Sequence, residues 1–299
     1  MSNPILNKKE LSEKKAHISF SEFSLFNQCG HRHLLEKRLN ILQQPPSIHL
    51  YFGNAIHSSI ELSLKGSWSI NRMVDHFKTT FSKDMLDNMK DTDDYKINFH
   101  NFLTQGEELL KFLDLNKILN EYDVVSVEEP LYEQIFSHFL FKGFIDLVVR
   151  HKITKRYKII DWKTSGEEWN VNKKKKDEIF LCQMRFYKFF WSRKNNINLS
   201  DVDCSYIVLS RLKKKKSLSS SFGNIQIVDI NSNEEEIKYS LEKLAKTIRM
   251  IHIDKIFPKI KFKIGERVGC MFCPLKGGRH PMCDSSDKQH KKLLIEYKK

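Results

Sequence analysis

Apolar and polar positions change period twice along this chain, marking off a helical beginning, a β-rich middle and a mixed end. From residue 17 the text HISFSEFSLFNQCGHRHLLEKRL sets Phe23, Phe26 and Leu34 at roughly helical spacing. Ser19 and Glu22 are spaced as a capping box, so a helix is expected to start near Ser19. Gln43-Gln44-Pro45-Pro46 breaks it, and a second helical segment is expected from about Gly53 through Glu61 and Leu64. Residues 70–119 repeat apolar positions at i, i+3 and i+4, with a break expected around 91–94.

The period then shortens. Residues 123–128, 133–139, 141–150 and 156–162 are short β-branched or aromatic runs between polar breaks, which predicts consecutive strands. A polar insertion (165–177) follows, then the aromatic helical text LCQMRFYKFFW and another strand at 204–209. Lys213 to Lys216 and the serines of 217–221 read as an exposed hairpin or loop with a returning strand at 226–230, and 234–251 reads as an amphipathic helix. The tail from Phe257 carries Pro, Gly and Cys, and no internal repeat is visible. The order predicts an α/β or α+β core with helical additions at its beginning.

Composition excludes several classes. With 299 residues, 40 % hydrophobic and 29 % charged, the chain is neither wholly disordered nor collagen-like and is long enough for a sizeable core. No apolar run approaches the roughly 20 residues of a membrane span. Residues 1–15 lack the apolar stretch of a secretory signal, so a cytoplasmic, reducing setting is expected. There, six cysteines point to metal binding before disulfides. Charge then adds a partner: 51 Lys and Arg against 37 Asp and Glu leave +14, a surplus suited to a polyanion.

The densest candidate chemistry is GFIDLVV (143–149) followed by YKIIDWKTS (157–165). Each run sets one acid, Asp146 or Asp161, inside an apolar strand, where an ionised carboxylate is costly unless compensated. A divalent cation such as Mg²⁺ or Mn²⁺ relieves two such acids on neighbouring strands. Lys163 follows Asp161 by two residues and so shares its face. A plainer reading stands beside this, with the acids as strand-end charges and Lys163 as their salt-bridge partner. Gln183 and Tyr187 share a helical face, as do His57 and Glu61, and spacing alone leaves His57 an ordinary structural histidine.

In this order, His57, Gly143-Phe144-Ile145-Asp146, Asp161-Trp162-Lys163 and Gln183-x-x-x-Tyr187 resemble the PD-(D/E)XK nuclease superfamily, and within it the RecB-like branch. The resemblance runs from about Ser19 to Cys283. It implies a restriction-endonuclease-like central mixed sheet flanked by helices, acting on DNA with Mg²⁺ or Mn²⁺. It further implies His57, Asp146, Asp161 and the Trp162 backbone carbonyl as metal ligands, and Lys163 as the catalytic lysine. Gln183 and Tyr187 would orient the site and the strand. Glu128 or Glu129 is a candidate auxiliary acid. The organisation expected is a flexible N-terminus (1–17), one nuclease domain (18–285) and a basic tail (286–299). Within that domain, 53–120 would be helical, 121–230 the sheet core and 257–285 the cysteine tail.

Cys270-Met-Phe-Cys273 can place two thiolates on one metal, Cys283 adds a third, and Cys29 in the first helix can supply a fourth. One Cys before the core and three after it resembles the iron–sulfur nucleases of the same branch, including the AddAB nuclease and the CRISPR adaptation nucleases, which implies a [4Fe–4S] cluster. The long gap from Cys273 to Cys283 keeps zinc open, with His280 as an alternative ligand. Four ordinary thiols are the bland alternative, and Cys182 and Cys204 read as small buried residues.

The run Lys173, Lys174, Lys175 and Lys176, between the Asp-x-Lys strand and the Gln-x-x-x-Tyr helix, is a candidate for contact with DNA phosphates or else a solvated loop. The functional expectation is an exonuclease acting on DNA ends in recombination, repair or replication. The alternative is a catalytically silent DNA-binding or assembly subunit of a larger complex. Without a Walker-type loop the chain brings no motor, so a helicase or recombination protein is a candidate partner.

Overall fold

A computed structural model describes residues 16–40, 42, 47–136, 139–211 and 225–258, which fall into two compact units. The first takes its described residues from Met1–Pro45, Tyr132–Gly143 and Lys238–Lys299, the second from Pro46–Leu131 and Phe144–Ile237.

In the first unit, β1 (His17–Ser19) leads into α1 (Phe20–Gln28), α2 (Gly30–His33) and a π-helical turn (Leu34–Arg38). β1 pairs in parallel with Leu140 to Lys142 of β3 (Phe139–His151). The capping box forms by half: Ser19 Oγ accepts the Glu22 N–H at 3.2 Å. The Glu22 carboxylate turns instead to His33 Nε2 at 2.9 Å and Arg38 Nη2 at 2.7 Å. Burial opposes its charge, but the His33 hydrogen bond and the Arg38 cation outweigh burial and hold its carboxyl below the usual range. An inward-facing acid with a cation to meet is worth more to the fold than closing the box.

The second unit opens with α3 (Ile48–Gly66), α4 (Ile70–Met89), α5 (Asp93–Phe112) and the short α6 (Leu115–Ile118). Helix α3 begins a turn before the expected Gly53, because Ile48 and Phe52 already belong to its buried face. The break between α4 and α5 is made by Thr92, whose Oγ1 accepts the Tyr95 N–H at 3.2 Å. Phe52 meets Phe77, Phe81 and Phe102 edge-on with centroids 5.5–5.9 Å apart, and Phe77 stacks on Phe81. Gly106 of α5 makes this packing possible: a Cβ there would lie 2.0 Å from the fully buried Phe77 ring.

The expected strands at 123–128 and 133–139 are one strand, β2 (Tyr122–Phe136). Glu128 takes a left-handed φ of 55°, and Pro130 is tolerated because, among the described residues, β2 pairs only with β3. β3 and β4 (Tyr157–Ser165) pair antiparallel. The polar insertion holds the short helix α7 (Val171–Lys174) and leads to α8 (Glu178–Asn195). β5 (Val202–Ser210) is parallel to β4, and β6 (Ile225–Asp229) antiparallel to β5. The result is a mixed sheet with helices, as the resemblance implies. α9 (Glu234–Ile248) and a π-helical turn (Arg249–Ile253) close the described chain. The cysteine tail and Lys213 to Lys216 lie outside the described residues. No described helix is long and apolar enough to cross a membrane.

Gly106→Ala is expected to lower stability by about 1–3 kcal/mol, despite alanine's better helix propensity, because overpacking must displace Phe77. Urea unfolding checks this; a variant as stable as the parent would show that the α4–α5 contact yields freely.

Candidate active site

The β3–β4 ladder is paired as far as Leu147 opposite Ile160, and the next residue on each strand is Asp146 and Asp161. Pairing stops there. The Trp162 N–H donates to Asp146 Oδ2 at 2.7 Å, so a carboxylate takes a donor that would otherwise serve the ladder. β4 continues in register with β5, which fixes Asp161 beside Tyr206 and Lys163 beside Val208.

Around Asp161 the hydrogen bonds run in one direction. The single Tyr206 hydroxyl proton is shared between the Phe180 carbonyl, at 2.9 Å, and Gln183 Oε1, at 3.3 Å. With its amide oxygen engaged, Gln183 turns Nε2 toward Asp161 Oδ1 at 2.9 Å and the Tyr187 hydroxyl at 3.3 Å. Lys163 Nζ lies 2.5 Å from Asp161 Oδ2 and 5.6 Å from the centre of the Tyr206 ring. On α3, His57 Nδ1 approaches Asp146 Oδ2 at 3.6 Å. The close approach of this helix depends on Gly53, where a Cβ would stand 3.2 Å from Thr164 Oγ1. The structure thus brings His57, Asp146, Asp161, Lys163, Gln183 and Tyr187 together.

Electrostatics follow from burial. Desolvation, then the charge of Asp161, push the Asp146 carboxyl well above the usual carboxylate range against the pull of Lys163 and the Trp162 N–H. Desolvation lowers His57 to about 4, outweighing the attraction of Asp161, so its imidazole is neutral at pH 7. The same burial raises the Tyr187 and Tyr206 phenols, which stay protonated hydrogen-bond donors.

Two carboxylates and a neutral imidazole are a donor set that suits a hard divalent cation. Asp161 Oδ2 is buried with no hydrogen-bond partner, although the Lys163 ammonium is beside it. Among the described residues no three His, Cys, Asp or Glu side chains already stand together as a metal cage, so the fit is one of chemistry and of neighbouring pairs.

Glu128 and Glu129 separate in space. Glu128, turned by its left-handed backbone, lines a cavity of about 500 Å³ with His57, Gly53 and Thr164. Glu129 instead pairs with Lys194 at 2.6 Å. In the lysine run, Lys174 Nζ sits over the rings of Trp169 (4.9 Å) and Phe180 (5.2 Å), while Lys173, Lys175 and Lys176 are exposed. Cys29 is half-buried between α1 and α2, and Cys270, Cys273, Cys283 and His280 lie outside the described residues. Cys182 and Cys204 are buried free thiols, and burial pushes Cys204 up to about 12. Sequence reasoning missed Tyr206. Its only signal there was a polar-tipped aromatic in the apolar strand text SYIVLS, which resembles ordinary core.

The family model of the PD-(D/E)XK nuclease superfamily matches residues 17–277. The chain belongs to this superfamily. Membership implies nuclease activity, and the nuclease fold implies DNA as substrate. A comparison with curated proteins gives no match. A solved structure titled "Crystal structure of SSO0001" is 13 % identical, covers 86 % of this chain and 96 % of its own, and has a TM-score of 0.31, too slight a likeness to bear on fold or function.

In this PD-(D/E)XK protein, Tyr206→Phe is expected to cost about 1 kcal/mol, the net worth of one buried hydrogen bond. The loss should be coupled to Gln183. A double-mutant cycle in urea with Gln183→Ala should give a coupling of about 0.5 kcal/mol or more; additive losses would mean that the tyrosine hydroxyl does not set the amide.

Proposed function

We propose that the protein is a Mg²⁺- or Mn²⁺-dependent deoxyribonuclease of the RecB-like branch, an exonuclease hydrolysing phosphodiester bonds from DNA ends in recombination, repair or replication. The observation that carries this reading is the pair Asp146 and Asp161. Each acid is the first residue past the end of one ladder, on facing strands, with Lys163 beside Asp161 and a surplus of negative charge that a cation would relieve. His57, Asp146 and Asp161 would hold the cation, with the Trp162 carbonyl as a further oxygen. Bound there, it supplies Lewis acidity toward a phosphate and a more acidic water. Lys163 would neutralise charge developing on the phosphate from its place beside Asp161. Gln183 holds Asp161 by one oxygen and leaves the other directed to Lys163, which fixes the face the acid presents. The basic surplus of the chain, with Lys173, Lys175 and Lys176 exposed near α8, supports capture of a DNA strand. A silent assembly subunit in a helicase or recombination complex is the second reading. The complete acid–acid–lysine set argues against it.

We also propose that Cys29 with Cys270, Cys273 and Cys283 holds a [4Fe–4S] cluster, with zinc and His280 as the alternative. Supporting this, the described chain ends at Pro258, whose carbonyl accepts the His31 N–H at 3.2 Å, two residues from Cys29. The tail that bears the three cysteines thus continues from beside the first.

With Mg²⁺ or Mn²⁺, the protein should degrade linear DNA at least 100-fold faster than an Asp161→Ala, Lys163→Ala double variant, about 2.7 kcal/mol of transition-state stabilisation. Closed circular DNA should be spared. Equal rates for parent and variant would end the nuclease reading, and cleavage of circles would replace exonuclease with endonuclease. Anaerobically purified protein should be brown and contain iron; colourless protein with stoichiometric zinc would overturn the cluster.

A further inference from the structure

Helix α3 presents His49, Gly53, His57 and Glu61 at four-residue intervals, all lining the one cavity with Glu128 and Thr164. The cavity is polarised. His57, which approaches Asp146, and Glu61 lie toward one end, and His49, eight residues and about 12 Å back along the helix from His57, marks the other. There the chain leaving β5 delivers Arg211, whose N–H donates to the Ser165 carbonyl at 2.9 Å just beyond the Asp161-Trp162-Lys163 segment.

The Arg211 guanidinium carbon lies over the Phe102 ring, 4.0 Å from its centre, with the Phe52 ring centre at 5.5 Å. Its other contacts are neutral: Nη1 donates to Gln105 Oε1 at 3.5 Å and Nη2 meets His49 Nδ1 at 3.3 Å. Among the described residues no carboxylate pairs with it. Arginine does not shed its proton, so this half-buried cation keeps a charge that nothing described nearby offsets. His49 stands edge-on to the same Phe102. Burial and the Arg211 charge lower its pKa against the opposing pull of Asp94, which keeps the imidazole neutral. Accepting from Arg211 at Nδ1 places the His49 proton on Nε2, which becomes a second donor beside the guanidinium. Elsewhere among the described residues, the buried Arg185 pairs with Glu178 and Glu236 and the half-buried Arg38 with Glu22.

We propose that Arg211 and His49 form a phosphate subsite that grips the DNA strand about three nucleotides from the phosphate at Asp161 and Lys163. The spacing follows from the 12 Å along α3 and about 3.4 Å of rise per nucleotide in a stacked strand. The proposal rests on the nuclease reading for its ligand, though its geometry is independent of any metal. A planar fork held by an aromatic ring presents its remaining N–H groups in fixed directions, which suits a phosphodiester oxygen pair. The distance sets a length requirement: a dinucleotide reaches one end of the cavity and an octanucleotide reaches both.

The test is binding of fluorescent single-stranded dT2 and dT8 at several salt concentrations, with Ca²⁺ in place of the cations that would support cleavage. Arg211→Gln should weaken dT8 binding about tenfold and reduce the steepness of its salt dependence by about 0.7, the share of one phosphate contact on a single strand. It should leave dT2 within twofold. His49→Ala, at an exposed position where misfolding is no concern, should weaken dT8 in the same length-dependent way without changing the salt slope. If both variants bind dT8 as the parent does, or lose dT2 and dT8 equally, the subsite is wrong. Parent protein that cuts DNA while the variants behave like it would remove the subsite and leave the nuclease reading standing. Length-dependent loss in a parent protein that cuts nothing would do the reverse.

Discussion

Two carboxylates on facing strands, each the first residue beyond the end of a β-ladder, are a burden that the surrounding structure is arranged to bear. Asp146 and Asp161 cannot both carry full charge cheaply in this burial, and the raised pKa of Asp146 is the sign of that conflict. The protein answers with one ammonium from Lys163, one backbone N–H from Trp162 and one amide N–H from Gln183. These suffice to keep the acids in place and do not abolish the excess of negative charge. The site is therefore held together by the fold and against its own electrostatics, as is common where local stability has been given up for chemistry.

Much of this was legible in the sequence, because its main signal is a violation of pattern. An acid inside FIDLVV or IIDW stands out against apolar neighbours, and Lys163 and the Gln183–Tyr187 pair follow from periods of two and four. Contacts made through the backbone were not legible. Glu128 and Glu129 are indistinguishable in sequence, and only a left-handed turn at Glu128 sends it to the cavity and Glu129 to Lys194. Tyr206 looks like core because it is core, with only its hydroxyl engaged in the site. Lys174 reads as one of four equal lysines, yet Trp169 and Phe180, five residues before it and six after, claim it with their rings. Arg211 carried no pattern at all, since its meaning lies in the carboxylate it does not meet.

The direction of the Tyr206–Gln183–Asp161 chain gives the site a defined state even without other ligands. An amide can be turned either way round, and a flipped Gln183 would point its oxygen at a carboxylate. The Tyr206 hydroxyl opposes that option, its proton shared between the Phe180 carbonyl and the amide oxygen. Because Tyr206 is in register opposite Asp161 on a parallel strand, the orientation is set by the sheet itself. α8 contributes the amide, and β5 decides how it is worn.

Helix α3 has two employers. Phe52 sits in the aromatic cluster of α4 and α5, and one residue later Gly53 lies against Thr164, one turn before His57 reaches Asp146. A rigid rod cannot settle in one groove without moving in the other. Changes accumulated among Phe77, Phe81, Phe102 and Gly106 would look like ordinary core drift in a comparison of sequences, yet each would be transmitted along the rod to an imidazole they never touch. The hydrophobic bundle and the candidate site are thus coupled through one mechanical element.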